Sequence, residues 1–416
     1  MSHPPARLSG YAVFAAMLAA AGLPIYIHAP KYFVDEYGAG LTALATVLFV
    51  LRLVDVMQDP ALGWLAQATR ARRGWAVAGG VLLLVASMLG LFAVPPPIAP
   101  LWWFALTLSG LFSAFSFLNI CFYAQGVQTA DRLGDKGHLR LAAWRETGAL
   151  LGVCLASVAP TVLAFTGAPF AGFAVGFAGL CLLAAILMRG EWRTAPLGAA
   201  LGVRPVLADA VARRLLLIAL VNAAPVAVSS TLFLFFVEGA LQAPGWEGPL
   251  LVLFFLAAAA AAPVWSRIAQ GVGARPALLV GMGLAILSFS GVLALGPGDI
   301  LAFAIICLIS GATLGADLTL LPAIFARRMA RIAPEAGAGF GLWSFVSKFT
   351  LAFAAAGLLP LLDRAGFAAG ATPPQAALSL LTALYALVPC VMKLIAMALL
   401  AMTPLTEEAV PGSDRG

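Results

Sequence analysis

The feature that most constrains this chain is a succession of long apolar runs separated by short polar turns. A helix needs about 20 mostly apolar residues to cross the hydrocarbon core of a bilayer. Because backbone groups inside a bilayer must be hydrogen-bonded within their own segment, such runs predict membrane-spanning helices. Twelve of them lie at approximately 10–34, 41–67, 75–95, 100–127, 141–166, 169–188, 213–239, 247–270, 276–296, 299–325, 338–364 and 376–403.

The composition excludes a soluble fold. Of the 416 residues, 62% are hydrophobic and 10% are charged, whereas about 25% are charged in ordinary soluble domains. The formal net charge of +6 has no soluble basic domain to carry it, so a nucleic-acid partner is not predicted. The chain is predicted to be an integral membrane protein in contact with the lipid bilayer.

The distribution of basic residues predicts the orientation. The longest non-apolar stretch, 189–212, separates two sets of six spans. If the N-terminus is cytoplasmic, 18 of the 24 lysines and arginines fall on the inner side, as the positive-inside rule requires. We therefore expect both termini in the cytoplasm, six-helix bundles at 1–188 and 213–403, a central cytoplasmic loop at 189–212 and a cytoplasmic tail at 404–416. Preference for Arg over Lys is typical of a bacterial chain, hence of the inner membrane.

Ionisable residues inside spans usually mark function, because burying a charge in a bilayer costs several kcal/mol. Arg52, Asp55 and Asp59 lie in the second span, and their spacings of three, four and seven place them on one helical face. Two carboxylates one turn apart repel each other when both are ionised, unless a cation lies between them. This cluster is either a cation or proton site or a structural ion-pair cluster.

Five other charges lie inside spans. Lys348 is about 15 Å into its helix at the helical rise, near the midplane, where it needs Asp55 or Asp59 as a partner. Asp317 is near the middle of span ten, where it serves transport or bonds to a neighbouring helix. Glu146 follows Arg145 and either pairs with a base or has a functional role, and Lys393 either snorkels or is structural.

The pattern Arg52-x-x-Asp55-x-x-x-Asp59-Pro60-x-x-Gly63 resembles the second-helix motif of the glycoside–pentoside–hexuronide:cation symporters, the melibiose-permease-like branch of the major facilitator superfamily. Further similarities are Tyr32-x-x-Asp35-x-x-Gly38 after span one and Thr69-Arg70-x-Arg72-x-Gly74 after span two. Others are Asn119 to Tyr123 in span four, Arg145 in span five and Trp343-x-x-x-x-Lys348 in span eleven. The resemblance implies an all-α membrane protein of twelve transmembrane helices in two pseudo-symmetric six-helix bundles, the major facilitator fold, with its site between them.

The resemblance also implies residue roles. Asp55 and Asp59 match the carboxylates that hold the coupling cation, which is H⁺ or Na⁺. Ser116 matches a hydroxyl that helps to coordinate it, and Gln58 replaces a usual Asn. Coupling is expected to run through a charge network, Arg52, Arg145, Lys348 and Asp317. No further metal and no cofactor is predicted.

The sequence departs from the family at its sugar-binding positions. Asn119 and Ala19 occupy the places of two carboxylates that grip a galactoside, which argues against a galactoside substrate. We expect the solute site to be lined instead by Tyr26, His28, Trp144, Asn119, Tyr123 and Asn222. His28 could titrate near neutral pH, or it could be a histidine whose hydrogen bonds are satisfied at a helix interface.

These patterns lead to one main hypothesis and two alternatives. The main hypothesis is a secondary active transporter, functional as a monomer, that carries a small solute with a cation by alternating access. One alternative is an importer of an aromatic vitamin-like solute such as riboflavin; copper is excluded because the spans lack Met-x-x-x-Met or His-x-x-x-Met. The other is a non-transporting assembly or sensor protein. An enzyme is not predicted, since no nucleophile–base set or nucleotide loop is present.

Overall fold

The computed structural model describes residues 8–22, 29–30, 32–34, 36–39, 41–134, 136–192, 202–332, 337–364 and 374–404. Across these residues the regular structure is helical and contains no strand. Its long helices are α1 (Leu8–Ala20), α2 (Leu41–Ala68), α3 (Arg73–Phe92), α4 (Pro100–Arg132), α5 (Gly137–Val162), α6 (Pro169–Met188), α7 (Ala210–Phe235), α8 (Glu247–Val272), α9 (Ala274–Ser290), α10 (Ile300–Ile332), α11 (Gly337–Arg364) and α12 (Gln375–Ala401).

Nine of the described helices are long and apolar enough to cross a membrane. They are all of the long helices except α1, whose described part has 13 residues, and α2 and α11. Helices α2 and α11 carry Arg52, Asp55, Asp59 and Lys348. The same charges form the site described below.

Several helices extend beyond the apolar run that predicted them. Helix α4 continues to Arg132 and α10 continues to Ile332, five and seven residues past the predicted ends, because hydropathy detects only the part of a helix that lies in lipid. The first span differs in the other direction. Helix α1 ends at Ala20 in a turn at residues 21–22, just before Pro24, and proline commonly follows the end of a helix.

The start of α7 is fixed by a side chain. Asp209 accepts a hydrogen bond of 2.7 Å from the backbone N–H of Ala212, which is the ordinary arrangement of an N-cap residue. Arg328 of α10 donates to both carboxylate oxygens of Asp209. These hydrogen bonds lower the pKa of Asp209 below its usual value, chiefly through Arg328, so α7 and α10 are joined at this end of the protein.

The helix contacts repeat with a period of six helices. In the first half of the chain the five most extensively packed pairs are α1–α5, α1–α6, α2–α4, α3–α4 and α3–α6; in the second half they are α7–α11, α7–α12, α8–α10, α9–α10 and α9–α12. Adding six to each helix number converts the first set into the second. We call α1–α6 the N-terminal half and α7–α12 the C-terminal half.

The halves meet mainly through α2 with α11 and α5 with α8. The shift by six helices relates α2 to α8 and α5 to α11, so it converts one of these pairs into the other. Close approach is visible where α2 ends and α11 begins, since a Cβ atom at Gly341 would lie 3.0 Å from the Cα of Gly63. Nearby, Ser266 of α8 donates to the backbone oxygen of Leu139 of α5 at 2.8 Å. We call this the arginine-rich end, because it carries Arg72, Arg132, Arg213, Arg275 and Arg328.

Candidate functional site: a charge cluster between the halves

The ammonium group of Lys348 lies among three oxygen-bearing side chains at the interface of the two halves. Its Nζ donates to Asp55 Oδ1 at 2.7 Å and to Asp59 Oδ1 at 3.1 Å, both on α2. It also donates to the hydroxyl of Ser116 on α4. Since α2 and α4 belong to the N-terminal half and α11 to the C-terminal half, this lysine connects the halves.

Neighbouring side chains orient Asp55. Ser116 donates to its Oδ1 at 3.0 Å, and Gln58 Nε2 donates to the same oxygen at 3.2 Å. Gln58 is itself held by Ser113, whose hydroxyl donates to Gln58 Oε1 at 2.9 Å. Arg52 lies 3.9 Å from Asp55 Oδ2, an ion-pair distance rather than a short hydrogen bond. Asp55 is thus the most heavily bonded carboxylate of the cluster.

The cluster is almost completely shielded from solvent. Asp59 and Ser116 are fully buried, and Asp55 is 3% exposed. The Oδ2 atom of Asp59 has no hydrogen-bond partner in the described part of the chain. A buried carboxylate without its full set of donors is costly in a low-dielectric setting. Oxygen atoms around a positive charge form an arrangement that an alkali cation or a proton could also use.

A second cluster lies on α4 and α5. Arg145 Nε donates to Glu146 Oε1 at 2.7 Å, and Tyr123 OH donates to the same oxygen at 3.3 Å. The guanidinium carbon of Arg145 is 3.9 Å from the centre of the Tyr123 ring, a cation–π distance. The Tyr123 ring also contacts Phe340 of α11, with 5.0 Å between ring centres, so this cluster too extends to the C-terminal half.

The predicted solute-lining residues are spread over several places. Asn119 is partly buried on α4, three residues from Ser116 and four from Tyr123, so it lies between the two clusters. Trp144 is 48% exposed. Tyr26 and His28 lie outside the described residues.

Asp317 and Asn222 form a third cluster with a residue that was not expected to join them. Lys393 Nζ donates to Asp317 Oδ2 at 2.5 Å and to Asn222 Oδ1 at 2.7 Å. The three residues lie on α10, α7 and α12, within the C-terminal half. The sequence grouped Asp317 with Arg145 and Lys348 in one network, and Asn222 with the solute lining; the structure instead brings both to Lys393.

The predicted pairing of Lys348 with an aspartate of span two is confirmed, and it involves both aspartates. Sequence reasoning missed Ser113, although a hydroxyl three residues before Ser116 shares its helical face. It also missed the bond between Asp317 and Lys393. The sequence feature that indicates this bond is that the two residues carry opposite charges and both lie near the middle of their spans. The described residues contain no group of three or more His, Cys, Asp or Glu placed to hold a metal ion.

Comparison with known proteins agrees with this architecture. A family model described as MFS/sugar transport protein matches residues 8–407. Curated protein sequences give no significant match.

Two solved transporters share the fold. A bacterial homologue of the iron transporter ferroportin, in an outward-facing state, superposes with a TM-score of 0.72 at 15% identity, covering 95% of this chain and 99% of that one. The fucose:proton symporter of E. coli gives a TM-score of 0.69 at 12% identity, covering 96% and 98%. At such low identity the likeness is one of fold alone, and it confirms the predicted all-α, two-bundle architecture.

Proposed function

Because this chain belongs to the MFS/sugar transport protein family, we propose that it moves its solute in symport with a cation or a proton. Membership of this family makes the protein a multi-pass secondary transporter of a small molecule rather than an enzyme. The finer assignment is to the melibiose-permease-like branch, which the second-helix motif of Arg52, Asp55 and Asp59 supports. Its solute is a small organic molecule other than a galactoside.

The observation that carries this proposal is the position of the Lys348 ammonium among oxygens of Asp55, Asp59 and Ser116. A coupling cation that bound these oxygens would have to displace the ammonium, because like charges repel at this distance. Lys348 is fixed to α11, so its displacement removes a bond between the halves. Cation binding is thereby linked to the separation of α2 from α11, as coupled alternating access requires.

The closed arginine-rich end supports an assignment of the conformation. With the predicted orientation, both termini and this end lie in the cytoplasm of a bacterium, and the solute would enter from the opposite side. The close contact of Gly341 with Gly63 and the bond from Ser266 to Leu139 then close the cytoplasmic path. The ferroportin homologue was solved in an outward-facing state, which agrees with this assignment.

The solute would bind beside the cation, near Asn119, which lies between the two N-terminal clusters. The Tyr123 ring does not support the alternative of an aromatic vitamin-like solute, because Arg145 and Phe340 already contact this ring.

The test begins with the wild-type protein. A thermal-shift screen against sugars, vitamins, nucleosides and organic acids, with and without sodium, identifies the solute through its stabilisation of the folded state. Uptake of that solute into proteoliposomes is then measured under a sodium gradient and under a pH gradient. Wild-type accumulation that depends on neither gradient would exclude symport.

The decisive variant is Asp59→Asn. It removes a carboxylate that lies at the centre of the cluster, so we expect gradient-driven accumulation to be lost while exchange of internal for external solute remains. The matched control is Asp131→Asn, which removes a carboxylate whose side chain is 50% exposed and which should transport normally. An Asp59→Asn protein that concentrates its solute as well as the control would show that the cation binds elsewhere.

A further inference from the structure

The C-terminal half contains a cavity of about 60 Å³ between α7, α9, α10 and α12, with one residue of α8 in its wall. The wall is mostly apolar and includes Phe254 and Phe289. Its polar part comprises Asp317, Lys393 and the hydroxyl-bearing Ser229, Ser310 and Thr313. The space is several times larger than one water molecule needs.

The two charged residues of this cavity keep unused hydrogen-bonding capacity. Asp317 is 8% exposed and Lys393 is 5% exposed, so each is more than nine-tenths buried. The Oδ1 atom of Asp317 has no partner among the residues that the structure describes. The Lys393 ammonium has three N–H groups, and Asp317 and Asn222 accept two of them. The pair therefore keeps one acceptor atom and one N–H group without a partner in the described part of the chain.

The chemistry of a matching ligand follows from charge and geometry. Asp317 and Lys393 neutralise each other, so an ionic ligand would leave an uncompensated buried charge, which is strongly destabilising. A hydroxyl group can donate to the Asp317 carboxylate and also accept from Lys393, since both residues line the cavity. The apolar wall suits the C–H surface of the same molecule. We propose that this cavity is a binding site for a small neutral polyol of about three carbons, since it has space for about four water molecules.

This site is separate from the cluster around Lys348. None of the residues of that cluster lines the cavity, and the lining comes entirely from the C-terminal half. Polyol binding here therefore does not depend on the proposed cation coupling. A failure of one proposal leaves the other intact.

A cysteine in the cavity wall provides the readout. Cys390 lines the cavity, whereas Cys307, also buried on α10, does not. Two full-length single-cysteine proteins, each keeping one of these residues, are reconstituted in liposomes and treated with methyl methanethiosulfonate. Glycerol is expected to slow modification of Cys390 saturably and to leave Cys307 unaffected. Sucrose at equal osmolality, which is too large for the cavity, should protect neither residue, and acetate and ethylammonium should not replace glycerol.

Variants of the cavity test the chemistry. Asp317→Asn with Lys393→Met removes both charges at similar volume, and should weaken glycerol protection about tenfold, as expected for the loss of hydrogen bonds to charged groups. Phe289→Trp reduces the space without altering a charge and should abolish protection, which keeps the test decisive if the double variant does not fold. The proposal is overturned if Cys390 does not react at all, if Cys307 is protected equally, or if either variant retains full protection.

Discussion

Lys348 serves as an internal counter-ion for two buried carboxylates. Asp55 and Asp59 lie one helical turn apart, and their repulsion in a low-dielectric setting requires a positive charge between them. The ammonium group supplies this charge from the opposite half of the molecule. Because it is covalently attached to α11, it cannot satisfy the carboxylates when the halves separate, and in the proposed symport an external cation or a proton then takes its place.

This role predicts the behaviour of Lys348→Met. The variant leaves two carboxylates without their buried partner, and breaking a buried ion pair typically costs about 3–5 kcal/mol. We expect a lower melting temperature in choline chloride and recovery in sodium chloride, because sodium can then occupy the vacated position. The measurement is a thermal melt in each salt, with wild type showing a smaller difference between them.

A matched control separates charge from packing. Adding Asp55→Asn and Asp59→Asn to Lys348→Met removes the carboxylates that need a counter-ion, so the sodium dependence should vanish. If the triple variant responds to sodium as strongly as Lys348→Met does, then sodium acts at another place, and the counter-ion role of Lys348 is refuted.

Sequence reasoning reached the individual charges but could pair only some of them. The partner of Lys348 was predictable because the second span carries the densest cluster of charges. Lys393 could not be paired with Asp317 in the same way, since snorkelling was an equally good account of a lysine in the last span. Which side chains meet depends on helix rotation and on which helices are neighbours, and neither is fixed by the period of an apolar run.

At the scale of helices, glycines determine how closely the elements approach each other. A Cβ atom added at Gly152 on α5 would lie 2.3 Å from the backbone oxygen of Ala16. A Cβ atom added at Gly311 on α10 would lie 2.3 Å from the backbone oxygen of Phe254. These glycines permit the α1–α5 and α8–α10 crossings, because small residues let the backbones of neighbouring membrane helices approach closely. Helix number and order were predictable from the apolar runs, whereas the crossings depend on backbone approach, which hydropathy does not report.

Gly341 permits the corresponding approach between the halves, and it predicts the effect of Gly341→Ala. The new methyl group would lie 3.0 Å from both Asp59 O and Gly63 Cα, against backbone atoms that cannot rotate away. We expect a loss of about 1–3 kcal/mol, as for other overpacked sites, and a weaker closure of the arginine-rich end. A cysteine at Ser344, one turn further along α11, should then react faster with a water-soluble thiol reagent.

Gly283 on α9 offers the control for this substitution. Among the described residues, nothing beyond the backbone of the same helix lies within 4 Å of a Cβ built at that position. Gly283→Ala should therefore be neutral or stabilise the helix by about 0.5–1 kcal/mol. It should also leave the reaction at Ser344→Cys unchanged. Equal labelling rates in the Gly341→Ala and Gly283→Ala backgrounds would mean that the Gly341 contact does not hold the end closed.

The whole molecule consists of two packed halves that meet mainly along two pairs of helices. The five most extensive pairs within each half repeat through a shift of six helices, and the two main pairs between the halves, α2–α11 and α5–α8, exchange under the same shift. Such symmetry lets the halves rock about a central site while their internal packing is kept. The sequence predicted the two sets of six spans; the closed end was not predictable, because it depends on contacts between residues more than a hundred positions apart.

Rocking of the halves predicts that a covalent link across the arginine-rich end stops transport. Leu139→Cys with Ser266→Cys places thiols on α5 and α8, where Ser266 now donates to the Leu139 oxygen, and a short bifunctional thiol reagent can join them. Ser87→Cys with Gly110→Cys is the control, since a Cβ atom added at Gly110 would lie 3.7 Å from the Cβ of Ser87 within the N-terminal half, close to the separation in a disulfide. We expect the first link to abolish solute exchange reversibly and the second to leave it intact. Exchange that continues at the wild-type rate through a complete α5–α8 link would exclude opening at this end.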